Sequence, residues 1–95
     1  MRTIIPSNQF KRDLRLMKRR GLDFAKLQTI IDQLADDMVL AESLKDHPLV
    51  GNYKGFRECH IEPNWLLIYQ KGDDEVLELH ELLLARTGTH SDLFD

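Results

Sequence analysis

Tyr53-Lys54-Gly55-Phe56-Arg57-Glu58-Cys59-His60-Ile61-Glu62-Pro63-Asn64-Trp65-Leu66-Leu67-Ile68-Tyr69-Gln70 decides the fold. Its first half alternates with a period of two, Pro63-Asn64 reads as a turn, and Trp65 to Gln70 is an apolar run of strand length. The segment is therefore expected to form a β-hairpin. Residues two apart on a strand share a face, so Phe56, Glu58 and His60 are set against Arg57, Cys59 and Ile61. If the Cys59 and Ile61 side packs under helices, the Glu58 and His60 side is left open for chemistry.

Downstream, Gly72-Asp73-Asp74 reads as a second turn and Val76 to Ala85 as a last strand. In that strand Leu77, Leu79, Leu83 and Ala85 share a face with Glu81, an irregularity that a bulge near His80 would relieve. Upstream, the period changes to that of helices. Phe24, Leu27, Ile30, Ile31, Leu34 and Met38 recur at helical spacing behind Asp23, a capping residue. Before them, Gly21 stops a first helix that Ser7 or Asn8 caps, with Phe10, Leu14 and Met17 on one stripe. Arg2 to Ile5 reads as a short strand ended by Pro6. The order predicts an α+β fold: a short N-terminal strand, two helices, then three antiparallel strands, with the helices packed on one face of the sheet.

The 95 residues are expected to form one domain, 1–95, with no linker or repeat. No apolar run approaches the roughly 18 residues of a membrane span, and Met1 to Ser7 lacks a signal-peptide core, so a cytoplasmic protein is expected. A lone Cys59 agrees with a reducing compartment. Cys59 and His60 project to opposite faces and no helix carries two histidines four apart, so no metal site or cofactor is expected.

Thirteen basic and 16 acidic residues give a net charge of −3, but the charge is polarised. Residues 1–20 carry seven basic groups and one acid, Asp13. Such a surface attracts phosphate locally despite the overall sign, or is the wet face of a helix. Three imidazoles stand among basic groups, in Lys45-Asp46-His47-Pro48-Leu49, at His60, and in Arg86-Thr87-Gly88-Thr89-His90. Histidine exchanges protons near neutrality, and Lys and Arg hold phosphate, a combination suited to RNA strand scission without a metal.

Lys-Asp-His-Pro-Leu (45–49), Gly-Phe-Arg-Glu-Cys-His-Ile-Glu-Pro (55–63) and Arg-Thr-Gly-Thr-His-Ser-Asp-Leu-Phe (86–94) resemble the YafQ branch of the RelE/ParE toxin superfamily, the mRNA interferases of bacterial toxin–antitoxin pairs. The resemblance covers nearly the whole chain, though the N-terminal helices match only in pattern. It implies a RelE-like toxin domain that enters the ribosomal A site and cuts translated mRNA by attack of the RNA's own 2′-hydroxyl. It also implies inhibition by a cognate DinJ/RelB-like antitoxin in a 2:2 complex. By the same resemblance His47 stands where the family's base lies and His90 where its acid lies, with His60 and Asn64 completing the constellation and Arg86 neutralising the phosphate. Lys45, Lys54, Arg57, Glu58 and Phe94 fall on RNA-binding positions, although Phe94 is equally suited to covering the core.

Two features depart from the family. Asn64 stands where an aspartate is usual, and the chain is acidic where ribosome-directed toxins are commonly basic. The alternative on the same scaffold is a ParE-like toxin acting on DNA gyrase or an inactive antitoxin-binding relic. The histidines argue against both.

Overall fold

The computed structural model describes residues 1–94. Strand β1 (Thr3–Pro6) leads into helix α1 (Asn8–Arg19), and helix α2 (Phe24–Ala35) follows. The remaining strands are β2 (His47–Pro48), β3 (Arg57–Glu62), β4 (Trp65–Asp74) and β5 (Leu79–Gly88), and helix α3 (His90–Phe94) ends the described chain. The sheet order is β1-β5-β4-β3-β2, with β1 parallel to β5 and every other pair antiparallel. The expected strand, two helices and three antiparallel strands are all present. The short β2 and α3 are additions.

Ser7 is the cap of α1: its hydroxyl accepts the Phe10 N–H at 2.9 Å and donates to the Ala85 carbonyl at 2.8 Å, tying the helix start to β5. Gly21, at φ +85°, lets the chain leave α1 through the left-handed region. Asp23 caps α2 by accepting the Ala25 N–H. Leu27, Ile30, Ile31 and Leu34 are buried as the periodicity requires. Phe24 and Met38 are not core residues. The helix stops at Ala35, where Asp37 turns left-handed, and Phe24 instead lies under the Lys18 ammonium at 4.4 Å.

One core fills the space between the helices and the sheet. Phe10, Met17, Leu27, Ile31 and Leu34 meet Cys59, Ile61, Leu67, Tyr69, Leu82 and Leu84. Burial among these apolar groups pushes the Cys59 thiol up to about 12, so it is an inert packing residue. The opposite face carries a smaller cluster, Leu66, Ile68 and Leu93, flanked by Leu49, Tyr53, Phe56 and Ala85. The alternation read along 56–61 is thus realised, with Cys59 and Ile61 under the helices and Glu58 and His60 on the other side.

The β4–β5 hairpin differs from expectation. Strand β4 runs through Gly72 to Asp74, and the turn is Glu75 to Glu78, where Asp74 Oδ1 accepts the N–H groups of Val76 and Leu77. The bulge lies at Ala85, not near His80: Tyr69 pairs with Leu84 and the next residue back, Ile68, pairs with Arg86. Its consequence is large. Leu82 and Leu84 face the helices, and strict alternation would send Arg86 after them into the core; the extra residue turns Arg86 to the open face instead.

Candidate active site

Cross-strand register builds the site in two rows. His60, Leu66 and Gly88 form one, and His47, Glu58, Ile68 and Arg86 form the other, all on the face away from α1 and α2. His47 enters this array because the two-residue β2 pairs it directly with Glu58. The rings of His47 and His60 lie 6.3 Å apart between centroids, and those of His60 and His90 lie 5.7 Å apart. Three histidines distant in sequence therefore meet in one place. His80 stays outside, exposed and bonded to Asp73 at 2.9 Å.

Glu58 sits beneath two of the rings. Only 4% exposed, it places Oε1 at 3.3 Å from His60 Nε2 and 3.7 Å from His47 Nε2. That location differs from the open RNA-contacting position expected of it. A carboxylate buried here forms an ion pair with either imidazole only when that ring carries its second proton. His47 Nδ1 faces the Lys45 carbonyl at 2.6 Å, an acceptor only, so Nδ1 carries the hydrogen and Nε2 is the proton-exchanging nitrogen. A cleft of about 320 Å³, lined by Ser43, Leu44, Lys45, His60, Ile61, Glu62 and Pro63, opens beside this group.

His90 is delivered by α3. Asn64 Oδ1 accepts both the His90 backbone N–H at 3.0 Å and Nδ1 at 2.8 Å. The backbone group can only donate, so the amide oxygen is fixed at that point and Nδ1 is protonated. Asp92 holds the helix start in a reciprocal cap: its carboxylate accepts the Thr89 N–H at 2.9 Å while Thr89 Oγ1 accepts the Asp92 N–H at 3.2 Å. Arg20 of the α1 end pairs with the same carboxylate at 2.6 Å. A Cβ on Gly88 would lie 3.0 Å from Asp92 Cβ, so this close approach calls for glycine.

The Arg20 hydrogen bond, with that of the Thr89 backbone, lowers the Asp92 carboxyl to about 2. The stabilisation is present above the ordinary value of 3.8 and is lost as pH falls through about 2. Asp92→Asn is thus expected to lower stability by about 1 kcal/mol at pH 7, after allowance for the exposed Arg20. Thermal melts of the two proteins should converge near pH 2; a constant gap across that range would refute the linkage.

Arg86 is held rather than free. Asp13 accepts its Nε at 2.7 Å and Nη2 at 3.2 Å, and Tyr53 accepts Nη1 at 3.4 Å. One strand, β4, separates it from Glu58 in its row, two strand spacings or about 10 Å of sheet. Tyr53 packs edge-on against Phe94 at 5.9 Å, and Phe94 remains 47% exposed at the rim. Lys45 and Lys54 are exposed. Arg57 is not brought to the imidazoles: it leaves β3 on the opposite face and pairs with Asp46 at 3.3 Å. Asp13, Asp46, Tyr53 and Tyr69 were not legible as site supports, although the solitary acid among seven bases in residues 1–20 was a signal for Asp13.

The family model for the bacterial toxin of type II toxin–antitoxin systems, YafQ, matches residues 2–95. The chain belongs to the YafQ toxin family. Escherichia coli K12 mRNA interferase toxin YafQ is 40% identical over 94 residues, 98% of this chain and 96% of that protein. The E. coli DinJ–YafQ toxin–antitoxin complex superposes with a TM-score of 0.85 at 39% identity, covering 99% and 98% of the two chains. A metal-bound toxin from Helicobacter pylori superposes with a TM-score of 0.85 at 42% identity, covering 99% and 100%. The RelE-like α+β architecture of the YafQ family is the one described above. Among the described residues no helix is long and apolar enough to cross a membrane.

Proposed function

We propose that this YafQ-family toxin is a ribosome-dependent endoribonuclease that cleaves translated mRNA in the cytoplasm and is silenced by a DinJ-like antitoxin in a 2:2 complex. The observation that carries the reading is the meeting of His47, His60 and His90 in one row of rings, with the buried Glu58 against the first two. Relatives named mRNA interferase and a neighbour bound to DinJ support it.

RNA carries its own nucleophile. The 2′-hydroxyl attacks the adjacent phosphorus, the bond to the 5′-oxygen breaks, and a 2′,3′-cyclic phosphate and a 5′-hydroxyl result. The enzyme must accept one proton, deliver another, and stabilise the charge that develops on phosphorus. His47 Nε2 takes the 2′-hydroxyl proton. His90, with Nδ1 fixed on Asn64, gives the proton on Nε2 to the departing 5′-oxygen. His60 and Glu58 lie between them and hold the charge balance of the pair, replacing the RNA contact expected of Glu58. Arg86, locked in orientation by Asp13, offers its guanidinium to phosphate oxygens, while Lys45, Lys54 and Phe94 contact the flanking strand.

The test is primer extension on a translated message, run beside a gyrase supercoiling assay. Cuts within the message, a bell-shaped rate profile near neutral pH and retained cleavage in EDTA on intact ribosomes are expected. The EDTA arm matters because the H. pylori toxin was solved metal-bound. Uncut message with inhibited supercoiling would transfer the chain to the gyrase-directed branch. Asn64→Asp supplies a second check: a carboxylate against His90 favours the protonated ring, so the alkaline limb of the profile should move up by about one pH unit. An unmoved limb would remove His90 from the acid's role.

A further inference from the structure

The Lys45–His47 corner is fastened from the side of the sheet away from the imidazoles. Asp46 Oδ1 accepts the Tyr69 phenolic hydroxyl at 2.6 Å and Arg57 Nε at 3.3 Å. Tyr69 is 1% exposed and stands in the main core, so this anchor point does not move with solvent. Burial, together with the Asp46 carboxylate, pushes its phenol well above the ordinary range, so it remains a donor. Lys45, immediately before, is left-handed at φ +51° and closes a turn through its N–H to the Glu42 carbonyl. That reversal sends the Asp46 side chain to one face and His47 to the other, opposite Glu58. The strained corner also aims the Lys45 carbonyl at His47 Nδ1, 2.6 Å away.

We infer that Asp46, gripped by Tyr69 and Arg57, is a positioning residue that fixes both the placement and the tautomer of His47. It touches no reacting atom. The inference rests on the reading of His47 as the base made under Proposed function, but its structural half stands apart from that reading. Without the carboxylate, Lys45 is left with only its own turn bond to Glu42 to keep it in the left-handed region; the carbonyl swings away, Nδ1 loses its acceptor, and His47 drifts from Glu58. A misplacement of about 1 Å is enough to cost on the order of 100-fold in rate.

The experiment compares Asp46→Ala, Asp46→Asn and Tyr69→Phe in the full chain by nitrogen-15 NMR of the histidine rings and by single-turnover cleavage on programmed ribosomes. Wild-type His47 is expected to show a protonated Nδ1 and a bare Nε2 above its titration. Asp46→Ala should convert it to the ordinary mixture of tautomers and slow cleavage by about 10–100-fold at unchanged ribosome affinity. Asp46→Asn should fall between, because its amide oxygen still accepts from Tyr69. Tyr69→Phe, which removes one oxygen and leaves the packing, should shift the tautomer in the same direction and guards against misfolding of the alanine variant. In a His47→Gln background, Asp46→Ala should cost nothing further. A His47 spectrum unchanged in both Asp46→Ala and Tyr69→Phe would overturn the inference, as would an equal loss from Asp46→Ala in the His47→Gln background. If the tautomer shifts while His47→Gln cleaves at full rate, the positioning stands and the assignment of His47 as base falls.

Discussion

His90→Gln is expected to slow mRNA cleavage by about 10²–10⁴-fold, the range of one proton-transfer role. Glutamine retains a side-chain amide able to reach Asn64 but has no proton to give at neutral pH. Because His90 is exposed at the first position of α3, its loss leaves the Asp92 cap, the Leu93 packing and the main core untouched. The melting temperature should therefore stay within a few degrees, and binding of a DinJ-like antitoxin should persist. Cleavage by the variant at the parent rate in a translating extract would eliminate the proposed acid. A fall in rate accompanied by a large fall in melting temperature would assign His90 to the fold.

Asp13→Ala should act in the opposite order, through stability first. Its side chain is 9% exposed and receives Gln9 Nε2, two nitrogens of Arg86 and the Thr87 backbone N–H. Removing the carboxylate strips the counter-charge from an Arg86 side chain that is only 24% exposed and leaves the buried Thr87 N–H without this partner. Breaking a buried pair on one side costs about 3–5 kcal/mol, and the partial exposure of Arg86 brings the expectation to about 2–3 kcal/mol. For a domain of this size that corresponds to a fall of roughly 10–20 °C in melting temperature. Cleavage should drop as well, because Arg86 loses its fixed orientation. A fall of under 2 °C would mean that the pair behaves as a solvated surface bridge.

These two residues mark what a sequence does and does not disclose here. His60 was legible because a strand alternates: once Cys59 and Ile61 were assigned to the core, His60 had to face away from it. The caps at Ser7 and Asp23 were legible because helix starts need a local acceptor. His47, His60 and His90 were placed together by resemblance, since no local rule brings a two-residue strand against β3 or folds α3 back onto the β3–β4 turn. Those are tertiary events. Sequence pattern points to a bulge near His80 because Glu81 is the visible misfit, whereas the residue that has to change face is Arg86 and the bulge lies at Ala85. Glu58 reads as a surface acid, whereas it is 4% exposed with the Nε2 atoms of His60 and His47 3.3 and 3.7 Å from Oε1. Arg57 reads as a phosphate ligand by its charge, although its own alternation puts it on the helix side, where Asp46 claims it.

In the mechanism proposed above, the imidazole cluster moves protons for a nucleophile belonging to the RNA. The ends left by the cut report on it directly. Mapping them on a message cleaved during translation should find a 2′,3′-cyclic phosphate, or the 3′-phosphate formed when it opens, facing a 5′-hydroxyl. A 3′-hydroxyl facing a 5′-phosphate would mean that water attacked instead, and would contradict the mechanism at its first step.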